Sequence, residues 1–183
     1  MITYIAFLRG INVGGKNIIK MDELKSIFES FRFKNVETYI QSGNVIFETS
    51  TTNKKTLTQK IEKGLNKELG YEVATFLRTK EEMRALVKHD PFKNIKASDK
   101  AKTYVTFLHQ TSEVLKTSEV LRKKVPFFSR KKDVEVIGVR EGNVFCLSHL
   151  VDGSFGFPNL FLEKELKTPA TTRNWTTVSK MAE

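Results

Sequence analysis

An α+β protein built from two β-α-β-β-α-β halves is the fold class that the sequence predicts, and two patterns predict it. Over residues 1–78, strand-type and helix-type apolar periodicities alternate in that order. Beyond residue 101 the early pattern recurs. Tyr104-Val105-Thr106-Phe107-Leu108 echoes Tyr4-Ile5-Ala6-Phe7-Leu8, and Gly142-Asn143-Val144-Phe145 echoes Gly43-Asn44-Val45-Ile46. Two matches in the same order at nearly the same offset point to duplicated architecture.

The elements follow in order. Thr3 to Arg9 is a continuous apolar strand, and Met21, Leu24, Ile27, Phe28 and Phe31 then recur at helical spacing, so a helix follows a loop at Gly10 to Asn17. Val36 to Gln41 and Asn44 to Thr49 are β-rich runs joined by Ser42-Gly43, a two-residue connection in which glycine can take positive φ. Leu57, Ile61, Leu65 and Leu69 lie four apart on one helix face closed by Gly70, and Glu72 to Arg78 returns as a strand. This is the ferredoxin-like order. Thr79 and Glu82 form a T-x-x-E capping box that starts a connecting helix, which His89-Asp90-Pro91 breaks.

In the second half a helix is expected near Glu113 to Lys123, strands near Asp133 to Arg140 and Asn143 to Ser148, and a helix near Asn159 to Lys167. Where a fourth strand would fall, Thr172 to Ala182 reads as a capped helix that docks through Trp175. The expected organisation is a ferredoxin-like half over 1–78, a connecting helix and linker over 79–101, and a second such half over 102–183 with a C-terminal helix in place of the last strand.

Composition narrows the function classes. Hydrophobic residues at 39% and charged residues at 28% suit a chain that folds unaided. The single cysteine, Cys146, excludes an intramolecular disulfide and a cysteine-based metal cluster, which fits a reducing compartment. The run Met1 to Arg9 has no basic leader, and no segment is long enough to cross a bilayer, so the expectation is a cytoplasmic protein with no membrane partner. An excess of 31 Lys and Arg over 21 Asp and Glu, net +10, attracts polyanions such as nucleic acid.

Three segments are candidates for binding. Gly10-Ile11-Asn12-Val13-Gly14-Gly15-Lys16-Asn17 comes within one residue of the phosphate-loop pattern. Asn17 stands where Ser or Thr would hold Mg²⁺, and Asp22 and Glu23 would repel an anion from the following helix. Nucleotide hydrolysis is therefore not expected. The loop is read either as a binding element, with the Gly14 and Gly15 amides beside Arg9, Asn12 and Lys16, or as glycines that only permit a turn. Gln41-Ser42-Gly43-Asn44 carries the same ambiguity, and lies at the opposite sheet end from this loop if the first two strands run antiparallel. The stretch Arg122-Lys123-Lys124 to Arg130-Lys131-Lys132 flanks Phe127 and Phe128, a composition that suits phosphates and stacked bases, although a solvated turn anchored by Phe127 and Phe128 in the core is the favoured reading. His89, His109 and His149 are scattered, so no metal site and no cofactor are expected. Ser148, His149 and Asp152 are hydrolase residue types too close in sequence for triad geometry, and Asp152-Gly153-Ser154-Phe155-Gly156 is not a nucleophile elbow because Asp152 replaces its first glycine.

Tyr4 to Lys16, Met21 with Leu24, Thr38 to Val45, and Thr171-Thr172-Arg173-Asn174-Trp175-Thr176-Thr177-Val178 closely resemble the bacterial domain-of-unknown-function family 1697. The resemblance spans nearly the whole chain. It implies an α+β fold and no established activity, and its motif positions here are Arg9, Gly10, Asn12, Gly14, Gly15, Lys16, Gln41, Ser42, Gly43, Asn44, Arg173, Asn174 and Trp175. Arg32 departs from the family's glycine after the first helix and costs some C-cap quality. The functional expectation is a non-catalytic binding protein in which the glycine loop and Arg173 accept a nucleic acid or nucleotide. The alternatives are an enzyme acting on a small phosphorylated or carboxylated metabolite, for which no base is apparent, and a protein-interaction module.

Overall fold

A computed structural model describes residues 1–95 and 100–183; residues 96–99 of the expected linker lie outside the described residues. The chain divides into two compact units, Met1–Met83 and Arg84–Glu183.

The first unit comprises β1 (Ile2–Leu8), α1 (Met21–Ser30), β2 (Lys34–Thr38), β3 (Asn44–Thr49), α2 (Lys54–Leu69), β4 (Thr75–Thr79) and the first turn of α3 (Lys80–His89). Its antiparallel sheet has the order β2-β3-β1-β4. Leu24 and Phe28 of α1 and Leu57, Ile61 and Leu65 of α2 bury their helical stripes against Tyr4, Ala6, Leu8, Val45, Phe47 and Leu77. Each such side chain contributes about 1.5–3 kcal/mol on burial. Asn53 caps α2 by accepting from Thr56 N, and Gly70 ends it at φ +79°, as its position in the sequence predicts. The capping box is reciprocal: Thr79 Oγ1 accepts from Glu82 N at 3.1 Å and Glu82 Oε2 accepts from Thr79 N at 2.7 Å.

The second unit repeats the plan with β5 (Lys102–Leu108), α4 (Ser112–Arg122), β6 (Phe127–Phe128), β7 (Val134–Arg140), β8 (Asn143–Ser148), β9 (Leu150–Val151), β10 (Ser154–Phe155), α5 (Pro158–Leu166), β11 (Ala170–Asn174) and α6 (Trp175–Ala182). Its main sheet runs β11-β5-β8-β7-β6, the same order as the first with one short strand added at the edge. The echo extends to single bonds. Leu8 N donates to Gly43 O and Leu108 N to Gly142 O, both at 2.8 Å. Glu62 of α2 accepts from Thr75 N at 2.8 Å, and Glu163 of α5 accepts from Ala170 N at 2.9 Å.

Two expectations are corrected. The fourth strand of the second half exists: Thr171, Thr172 and Arg173 lie in β11, paired with β5, and the helix follows the strand instead of replacing it. The polar run Thr171-Thr172-Arg173 hides its strand character because its hydroxyls find partners, Thr172 Oγ1 lying 2.8 Å from Thr106 Oγ1. The Gln41–Asn44 turn also lies at the same sheet end as the Gly10–Asn17 loop. β3 is inserted between β1 and β2, so β1 and β2 run parallel and finish together.

Candidate functional site

The loop between β1 and α1 is a small projecting hairpin. Ile11 and Ile19 are buried at its base, whereas Val13 to Ile18 are exposed. Val13 and Lys16 form an antiparallel bridge, with Lys16 N donating to Val13 O at 3.1 Å. Gly14 at φ +59° and Gly15 at φ +74° make the tip, the two positive φ values that a tight hairpin turn with right-handed twist demands. A Cβ at either would meet nothing within 4 Å, so the glycines answer to backbone conformation and not to crowding.

Asn12 pins this finger to the scaffold. Its backbone stands at φ +54°, its Oδ1 accepts from Ile19 N at 2.8 Å, and its Nδ2 donates to Ile19 O at 3.0 Å and to Gln41 O at 2.9 Å. Asn17 Nδ2 donates to Gly10 O at 3.1 Å. These bonds spend both asparagines, and Asn12 in particular, on shape. The turn after β2 is likewise architectural: buried Asn44 donates to Tyr39 O and Ser42 Oγ, and a Cβ on Gly43 would come within 2.9 Å of Ile11 Cβ. What the sheet end presents to solvent is Arg9, Lys16, Lys20 and Gln41 together with apolar Val13, Ile18 and Ile40. Ile18 and Lys20 lie outside the sequence motifs, and Val13 and Ile40, though inside motif stretches, are marked only by their exposure in the fold. Ile40 adds a β-branched residue at φ +47°, a strained conformation held by the Tyr39–Asn44 bonds.

The second unit shows what the same junction looks like without a finger. Leu108 is followed by His109–Thr111 and then α4, and Gln110 Nε2 donates to Glu141 O at 3.1 Å, the counterpart of the Asn12–Gln41 bond. The scaffold therefore closes with a short connection, and the finger is additional to it.

Arg173, Asn174 and Trp175 belong to the second unit, and the glycine loop to the first. Arg173 is buried, and its Nη1 donates to Thr171 Oγ1 at 2.8 Å and Thr172 O at 3.0 Å. Burial pushes its guanidinium down to about 10, so it stays cationic at neutral pH. Asn174 caps α6 by accepting from Thr177 N, and Trp175 meets Phe92 edge-on at 5.2 Å. All three have structural work.

Arg122, Lys123, Lys124, Arg130, Lys131 and Lys132 are exposed. Phe127 packs on Phe161, whereas Phe128 is 49% exposed and lies 6.4 Å from the His149 ring, so of the two aromatics only Phe127 anchors the stretch. His149 Nε2 lies 2.8 Å from Glu135 Oε2. Cys146 is buried, and burial pushes its thiol up, away from the thiolate form. Among the described residues no three His, Cys, Asp or Glu side chains gather to hold a metal ion, and no helix is long and apolar enough to cross a membrane.

The family model described as Protein of unknown function (DUF1697) matches residues 1–140. A solved structure of a conserved bacterial protein from Streptococcus pneumoniae is similar over 99% of this chain and 97% of its own, with a TM-score of 0.72 at 21% identity, a likeness of fold. No curated protein matches the chain.

Proposed function

The chain belongs to the DUF1697 family of proteins of unknown function, and we propose that it is a non-catalytic nucleic-acid-binding protein whose first unit engages phosphates through the finger between β1 and α1. One observation carries this reading. Two units share sheet order, helix positions and junction hydrogen bonds, yet only the first extends its junction into an exposed hairpin. Stability does not ask for that extension, since the second unit closes with three residues. A projecting loop on a rigid scaffold that exposes Arg9, Lys16 and Lys20 beside Val13 and Ile18 has the composition of a nucleic-acid contact: cations for phosphates, apolar side chains for bases. The net charge of +10 favours approach to a polyanion. Exposed Phe128, next to Arg130–Lys132 on the second unit, supports the same ligand class, because a solvent-facing aromatic flanked by cations accepts a stacked base.

The test is fluorescence anisotropy with single-stranded and duplex oligonucleotides over about 50 to 200 mM salt. Log affinity should fall linearly with log salt, and Lys16→Ala and Lys20→Ala should each lower the slope by about one. Absence of binding at the lowest salt, or a slope that neither substitution changes, overturns the reading.

A further inference from the structure

A pocket of about 600 Å³ in the second unit is a slot along a sheet edge. Ile137, Gly138, Val139, Arg140 and Glu141 all border it. Successive side chains of a strand point to opposite faces, so a cavity that meets consecutive residues in a row lies beside the strand and not on either face. β6 covers this edge only at Glu135 and Val136, and beyond it no strand among the described residues lies outside β7.

The slot has two walls, one on each face of the sheet. Val136, Val139, Val144 and Cys146 pack in one core cluster with Leu121 of α4, and on that face the last turn of α4 supplies Glu119 and Arg122. Phe145, between Val144 and Cys146 in β8, faces the other way. Its ring leans over Gly138, where a Cβ would meet it at 3.0 Å, and the His89 ring lies 6.3 Å from it.

The floor between the walls is polar backbone. Glu141 at φ +51° and Gly142 at φ +73° form the tight turn from β7 to β8, so the flanking pair Arg140–Asn143 bonds across the ladder and Val139 turns its N–H and C=O towards the slot. Ile137 is the extra residue of the bulge, opposite no residue of β8. An extended segment entering the slot would meet these groups, the geometry by which a strand is added to an open edge.

Charge and length choose the occupant. A second copy of the chain is disfavoured, because each copy carries net +10 and the open run is only Ile137 to Arg140, bent by the bulge. Arg122 Nη2 lies 3.0 Å from Glu119 Oε2, and Arg140 Nε lies 3.6 Å from Glu141 Oε1, so the carboxylates of the slot are already matched by cations. Exposed Lys123 and Lys124, which lead from α4 towards β6, then make its β6 end positive.

We propose that β7 accepts an extended acidic peptide segment of a partner protein as an added strand, its backbone bonded to Val139 and its carboxylates towards Lys123 and Lys124. Nothing in this rests on the finger, so the two readings fail independently.

Calorimetry and hydrogen exchange on the full chain decide it, with an acetylated and amidated glutamate–valine repeat peptide as the probe. A lysine–valine counterpart tests charge, and two versions of the acidic peptide N-methylated on alternate amides, one for each edge of the strand, test the backbone. Saturable binding of the acidic peptide is expected, with the lysine peptide weaker by about tenfold or more, only one of the two methylated versions still bound, and exchange of the Val139 amide slowed by about tenfold or more. Lys123→Glu combined with Lys124→Glu, both at exposed positions, should weaken binding by about tenfold or more without changing the unfolding temperature of the free protein, and Lys16→Ala should leave binding intact. No binding, an equally tight lysine peptide, equal binding of both methylated versions, an unprotected Val139 amide, or full binding by the double variant overturns the proposal. So does a dimer of the free protein in sedimentation with that amide already protected, which would make a second copy the occupant.

Discussion

Arg78 and Arg173 occupy the same register position in two different sheets. Arg78 of β4 stands opposite Ile5 of β1, Arg173 of β11 stands opposite Val105 of β5, and each donates from Nη1 to the carbonyl oxygen of the residue before it, Leu77 O at 2.8 Å and Thr172 O at 3.0 Å. Both are buried. The residue after each arginine caps a helix, Thr79 for α3 and Asn174 for α6, so the repeated module runs through its last strand into a helix.

The planar guanidinium is the part of these arginines that the fold uses. We expect Arg173→Lys to lose about 2 kcal/mol or more and Arg173→Met to lose less, because lysine keeps a desolvated charge without the fork of donors, whereas methionine removes both. Arg78 should follow the same order. Urea unfolding followed by circular dichroism checks it, and a more stable lysine variant would mean that charge alone is retained.

Crowding and backbone conformation separate at two glycines with similar φ. Gly14 at +59° has open space around a Cβ, while Gly43 at +70° would place one 2.9 Å from Ile11 Cβ and 3.1 Å from Leu8 Cβ. Gly14→Ala should cost about 1–2 kcal/mol, the left-handed penalty alone. Gly43→Ala should cost that and about 1–3 kcal/mol more for overpacking, read as a lower urea midpoint. Equal losses would remove the packing term.

Arg32 follows α1 at φ +65°, with its N–H donating to Glu29 O at 2.9 Å. A non-glycine residue in this left-handed position carries a penalty of about 1–2 kcal/mol, offset in part by its smaller unfolded-state entropy. Arg32→Gly should therefore stabilise the protein by up to about 1 kcal/mol, measured by thermal unfolding. A loss of stability would show that the arginine side chain has a role that outweighs its backbone.

Regular apolar spacing made the helices legible. Leu57, Ile61 and Leu65 state one face, and Gly70 and Thr79 state where neighbouring elements end and begin. β11 was hidden because its buried residues are threonines and an arginine, which have no apolar alternation and become strand-like only through partners such as Thr106. The meeting of the Gly10–Asn17 and Gln41–Asn44 loops was hidden for another reason: linear order does not say that β3 inserts between β1 and β2. Motif residues such as Asn12 and Asn44 stood out by type and turn out to shape the loops, while Val13, Ile18 and Ile40 are ordinary residues whose significance is exposure.

Glu62 should be a residue whose charge costs stability at neutral pH. Its Oε1 accepts from buried Thr75 N at 2.8 Å, tying α2 to the start of β4. Burial pushes its carboxyl up, the Thr75 N–H pulls it down, Glu72 nearby pushes it up again, and the balance lies above the ordinary carboxylate range. A carboxyl raised in the folded state holds its proton more tightly there than in the unfolded chain. Its favourable contribution is complete in acid, below the unfolded value of about 4.3, and is lost as pH rises through the folded value. Glutamine keeps a carbonyl oxygen for Thr75 N–H and carries no charge. Glu62→Gln should therefore match or exceed the wild type at neutral pH, by less than about 1 kcal/mol, with the advantage vanishing below about pH 4. Glu62→Ala removes the acceptor and should lose about 1–3 kcal/mol at either pH. Urea unfolding at the two pH values separates these terms: a glutamine variant weaker than wild type at neutral pH would make the carboxylate charge itself the stabilising element.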